Sequence, residues 1–91
     1  MKITVEQPTP ELLDAKGVSR WPTLEKEPCR IDWYFDQTEE SYFLDGAVTV
    51  VTEDGQRVTV RKGDLAVFPK GLRCTWYIEA PLRKHFNLRD D

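Results

Sequence analysis

Hydrophobic and polar residues fall into two regimes along this chain. Up to about residue 29 the pattern is short and broken by prolines. Beyond it, apolar and polar residues alternate with a period of two almost to the end. That period marks half-buried strands. It predicts strands near 30–35, 41–45, 47–52, 57–61, 65–68, 74–78 and 82–88. Turn residues separate them: Gly46, the run Glu53-Asp54-Gly55-Gln56, Lys62-Gly63-Asp64, Pro69-Lys70-Gly71 and Ala80-Pro81. Short strands at regular spacing with such turns argue for a sandwich or closed barrel. No internal repeat or low-complexity segment interrupts them.

The first part of the chain predicts a short strand at 3–5 and one short helix. Thr9 suits the N-cap, Pro10 the first helical position, Glu11 the positive end and Gly17 the stop. Two turns of helix need tertiary support, which Leu12 and Leu13 are placed to give. The stretch 20–30, with prolines at 22 and 28, reads as irregular. Trp21 is expected to anchor it to the β structure. In the hairpin around Asp54-Gly55 two registers remain open. A two-residue loop pairs Val51 with Val58, and a three-residue loop with a bulge pairs Val50 with Val60.

Length and composition narrow the picture further. Ninety-one residues make one domain, 1–91, with a small core. Three Trp, four Phe and three Tyr give that core much area per residue, or line a pocket. The net charge of −3 and the lack of a basic block argue against nucleic acid as a partner. No apolar run reaches membrane-spanning length and no signal-peptide pattern opens the chain, so a cytoplasmic protein is expected. Cys29 and Cys74 fit no zinc spacing and are expected to stay reduced there.

Two spacings carry more information. Gly63, Pro69 and Gly71 are followed by Cys74, and Glu39 stands seven positions before Gly46. Together these resemble the two motifs of the cupin family, with Cys74 where the second motif usually has histidine. The resemblance covers about residues 30–88. It is closest to small single-domain cupins related to ureidoglycine aminohydrolase, carried by the stretches 38–46, 62–76 and 81–88. It implies an all-β, cupin-type (jelly-roll) conical β-barrel with a short N-terminal helix and a pocket inside the barrel. Metal-binding cupins add two histidines before the glutamate. Counting back from Glu39, those positions fall on Trp33 and Phe35, or on Asp32 and Tyr34. Of the usual ligands only Glu39 persists, and Glu39, Cys74 and Asp36 form a poor donor set. No metal and no cofactor are therefore expected. The sole histidine, His85, lies outside both motifs and is expected on the surface.

Alternation assigns faces. Cys74, Trp76 and Ile78 share one, and Leu82, Lys84, Phe86 and Leu88 share another. By the resemblance the first points inward, and the apolar residues of the second make it an inward face too. That puts one lysine on an apolar face. Lys84 either snorkels to the barrel mouth or pairs with Glu39 inside it. Glu40, facing oppositely, is the rival carboxylate. Cys74 is an inert buried thiol, a pocket thiol or a nucleophile. The catalytic candidates are Glu39, Lys84 and Cys74; the expected pocket walls are Trp33, Phe35, Trp76 and Phe86. Tyr42 and Leu44 face outward and need a cover, either the N-terminal segment or a second subunit, so a homodimer is expected. Two functions follow. One is a metal-independent enzyme acting on a small polar nitrogenous or carboxylated compound. The other is a non-catalytic ligand-binding or dimeric interaction module that has lost the cupin metal site.

Overall fold

The structure, a computed structural model, describes residues 1–89. Its frame is two long antiparallel strands, β4 (Thr38–Thr52) and β7 (Arg73–Arg89), after β1 (Thr4–Glu6), α1 (Pro10–Lys16), β2 (Thr23–Lys26) and β3 (Cys29–Tyr34), with β5 (Arg57–Arg61) and β6 (Leu65–Phe68) between them. They pair from Thr38 opposite Arg89 to Thr52 opposite Cys74. The early half of β4 also pairs with β6, which pairs with β1, while the late half of β7 pairs with β2. The other halves of β4 and β7 take β5 and β3. Each long strand thus belongs to two sheet halves, and inward residues of both halves share one core. This is the expected all-β cupin fold.

The sequence pattern divided each long strand in two, and the structure shows why the division is a bend instead. Gly46, at φ +98°, stands against Ala80-Pro81: a Cβ on Gly46 would lie 2.7 Å from the Pro81 carbonyl oxygen and 2.9 Å from the Leu82 Cα. The register shifts around Asp45 and Ala47. Turn-type residues here face each other across one ladder and form a β-bulge that folds the sheet over without ending it.

Two other expectations are corrected. The stretch 20–30 contains β2, pairing Thr23 with His85 through Lys26 with Leu82. Its prolines, Pro22 and Pro28, flank the ladder and take no donor from it. The hairpin adopts neither register: Val50 pairs with Val58, and Val48 with Val60. Thr52 N–H donates to the Gln56 carbonyl and Gly55 N–H to that of Thr52, closing a three-residue loop with Gly55 at φ +93°.

The helix follows its punctuation. Thr9 Oγ1 accepts from Leu12 N–H, and the chain turns left-handed at Gly17. No residue of α1 is fully buried; Lys16 Nζ holds Glu40 Oε2 at 2.8 Å instead. This ties the helix to the outward face of β4. Trp21 and Pro22 are tied to β7: His85 Nδ1 bonds the Trp21 carbonyl at 2.9 Å and Phe86 N–H that of Pro22. His85 is accordingly half-buried.

The core contains Phe43, Val48, Val50, Val60, Ala66, Phe68 and Leu72, closed by an aromatic layer. Phe35 stacks on Phe68 with centroids 4.9 Å apart, and Phe68 meets Trp76 at 5.1 Å. Such ring pairs add to the stabilisation from area burial alone.

Candidate functional site

Strand parity brings Glu39, Ser41, Phe43 and Lys84 to one inward face, since Phe43 pairs with Lys84 across the β4–β7 ladder. Lys84 is 3% exposed and Glu39 9% exposed. Lys84 Nζ lies 2.7 Å from Glu39 Oε2 and 3.1 Å from Ser41 Oγ. Ser41 Oγ donates to the same Glu39 oxygen at 2.7 Å. The ammonium also lies 4.6 Å from the centre of the Trp76 ring, a cation–π contact strengthened by the burial of Lys84. Of the two alternatives for Lys84, the structure takes the buried pair. Glu40 turns outward to Lys16. Burial pulls the Lys84 pKa below its ordinary value, opposed by the charge and hydrogen bond of Glu39.

Glu39 and Lys84 of this cluster border a cavity of about 290 Å³. Phe35, Trp76, Ile78 and Leu82 form its apolar walls, with Trp33 completing one side. Leu24, Lys26 and Ile31 also border it. None of these three is marked in the sequence: β2 lies in a proline-flanked stretch that reads as irregular, and no motif includes Ile31.

The structure therefore gathers Glu39, Lys84, Trp33, Phe35 and Trp76 around one cavity. Trp33 differs from the expectation in one respect. It is 52% exposed, because β3 is an edge strand and Trp33 stands at the rim. Phe86 shares the inward face of β7 but is only half-buried and lies outside this lining; Leu88 beyond it is exposed. Burial fades as β7 runs out of the barrel.

Cys74 borders a different, shallower groove with Tyr34, Thr52, Arg73 and Tyr77. Its thiol approaches the Trp33 carbonyl at 3.8 Å. Burial pushes its pKa up, partly offset by the Trp76 side chain. The Trp76 indole N–H is buried without a good acceptor, and this sulfur is its weak neighbour. A neutral thiol without a base is not activated for attack.

The cupin fold raises the question of a metal, and the residues present do not fit one. Where the resemblance implies histidines, at Trp33 and Phe35 or Asp32 and Tyr34 and at Cys74, none stands, and Glu39 already binds an ammonium and a hydroxyl. Asp36 is exposed. Among the described residues no three His, Cys, Asp or Glu side chains converge as a metal site does.

The fold is that of a cupin. More particularly, the chain belongs to the EutQ-like cupin domain family, whose profile matches residues 13–86. No curated protein matches it. A DUF861 family protein from Thermotoga maritima is 50% identical at a TM-score of 0.95, over 97% of this chain and 100% of that one. EutQ from Clostridium difficile is 23% identical at a TM-score of 0.66, over 72% of this chain and 52% of that one. A DUF861 family protein from Pseudomonas syringae is 24% identical at 0.67, over 74% of this chain and 29% of that one. The last two share the fold alone. No helix among the described residues is long and apolar enough to cross a membrane.

Proposed function

We propose that the chain is a small-molecule-binding cupin whose barrel site works without a metal, the Lys84 ammonium standing where the family's cation would meet Glu39. The observation that carries this reading is the Lys84–Glu39 pair, 2.7 Å apart, set at the edge of an apolar cavity. A buried ion pair contributes little to stability compared with an apolar replacement, so its presence in a small core favours a role beyond packing. Glu39 and Lys84 would handle the polar head of a small nitrogenous or carboxylated compound by charge pairing or proton exchange. Trp33, Phe35 and Trp76 would hold its body. The resemblance to ureidoglycine aminohydrolase-like cupins suggests a small compound with a nitrogenous head group. That enzyme's metal-assisted ammonia release is not carried over. A cytoplasmic homodimer remains part of the proposal. Exposed Trp33, Tyr34 and Tyr77 on the β3–β7 side favour a second reading, an interaction module, and would be the contact surface.

The test is a fragment screen by ¹H–¹⁵N chemical-shift mapping with small amines, amides and carboxylates. Saturable shifts confined to Trp33, Phe35, Trp76 and their neighbours are expected. Shifts scattered over the surface, together with a concentration-dependent dimer that protects Trp33 and Tyr77, would favour the interaction module.

A further inference from the structure

The charges in the cavity suggest what it recognises. Of its lining residues only Lys26, Glu39 and Lys84 are charged. Lys26 is exposed at the rim, and the other two cancel each other. Beyond the rim a ligand's body meets apolar walls and its polar head meets one paired ammonium and carboxylate. What the inner site does offer is an amine with a carboxylate one hydrogen bond away. A lysine desolvated in an apolar pocket is a nucleophile toward carbonyl groups.

We propose that Lys84 condenses with a small aldehyde or ketone bearing a flat apolar body, with Glu39 as proton relay and counter-ion. This rests on the cavity being a ligand site. Glu39 Oε2 first takes a proton from the Lys84 ammonium at 2.7 Å. The freed amine attacks the carbonyl carbon: a C–N bond forms, the carbonyl π bond breaks, and its oxygen is protonated through Glu39. The carbinolamine nitrogen passes a second proton through Glu39 to that hydroxyl, which leaves as water as the C–O bond breaks and the C=N bond forms. The balance is ammonium plus carbonyl giving iminium plus water, with no oxidant or reductant. The product keeps one positive charge beside Glu39, so the ion pair survives the reaction. The Trp76 face, 4.6 Å from Nζ, supports that charge before and after. Phe35 and Trp76 lie where a conjugated carbonyl body would stack.

The chemistry also separates Lys84 from the other lysines. Lys16 is bound to Glu40 outside the barrel, and Lys2, Lys26, Lys62 and Lys70 are exposed to solvent.

The test is reductive trapping. The native chain is incubated with benzaldehyde and cyanoborohydride at neutral pH and its peptides are mapped by mass spectrometry. A benzyl adduct is expected at Lys84 ahead of the exposed lysines. Glu39→Gln, checked for folding by circular dichroism, should slow it by about a hundredfold, the size of a typical acid–base contribution. Adducts on exposed lysines with Lys84 untouched would overturn the proposal, as would an unchanged rate in Glu39→Gln. Benzyl alcohol, which lacks the carbonyl, separates the two readings. If the alcohol shifts Phe35 and Trp76 signals while Lys84 stays unmodified, imine formation fails and the ligand site stands. If neither compound leaves a mark, both fail.

Discussion

Lys84 Nζ and Glu39 Oε2 lie 2.7 Å apart although 45 positions separate them in the chain. Their meeting depends on β4 and β7 pairing in one register, Phe43 opposite Lys84. A one-residue slip would send Lys84 to the outer face and an exposed arginine inward. The pair therefore ties the site chemistry to the central ladder of the fold.

Removing one partner leaves the other charge buried alone. Lys84→Met or Glu39→Leu should each cost about 3–5 kcal/mol. The double variant should regain much of that loss, because it leaves no charge behind. Urea denaturation of the four chains measures the coupling. Simple addition of the two losses would mean that the pair is solvated.

The pair also sets a pH trend. The folded chain holds the Lys84 proton less tightly than the unfolded chain, whose lysine has the ordinary value of 10.5. Between the lowered folded value and 10.5 the unfolded state binds more protons, so stability from this group rises with pH. Below that window the desolvation penalty is present in full. Denaturation across the alkaline range should show the native chain gaining on Lys84→Met as pH approaches 10.5. A steady or falling difference would contradict the lowered pKa.

The two thiols should separate sharply. Cys29 is exposed, whereas Cys74 is buried with its pKa raised. A disulfide reagent at neutral pH should modify Cys29 at once and Cys74 only on unfolding. Rapid reaction of Cys74 in the folded chain would revive it as a nucleophile.

Gly46 and Gly55 share positive φ but not surroundings. A Cβ at Gly46 meets backbone of Pro81 and Leu82, while one at Gly55 meets nothing within 4 Å. Gly55→Ala should carry only a conformational cost of about 1 kcal/mol. Gly46→Ala should cost clearly more, since two backbones must separate. Thermal denaturation of the two variants ranks them, and equal losses would show that the bend at Gly46 yields freely.

Much of this was legible in the sequence. Gly63, Pro69 and Gly71 with Glu39 and Gly46 carry the resemblance to cupins. The turn residues between short strands argue for a sandwich or closed barrel, because such residues act locally. Thr9, Pro10 and Gly17 placed the helix for the same reason. Parity put Lys84 inward, and spacing selected Glu39 over Glu40. What escaped notice depends on long-range pairing. Gly46 and Pro81 read as turns until they are seen opposite each other. β2 is hidden between prolines and exists only through β7. Trp33 has inward parity, yet its exposure follows from the edge position of β3. Lys26 and Leu24 joined the cavity with β2, so no motif could have announced them.

The central claim is that Lys84, and not a metal, meets Glu39 in this barrel. The most direct measurement is elemental analysis of protein purified without a metal-affinity tag, repeated after incubation with manganese, iron, nickel and zinc. The account predicts no stoichiometric metal in either sample and an unchanged melting temperature. One bound ion per chain that raises the melting temperature, and is lost in Glu39→Gln, would contradict it.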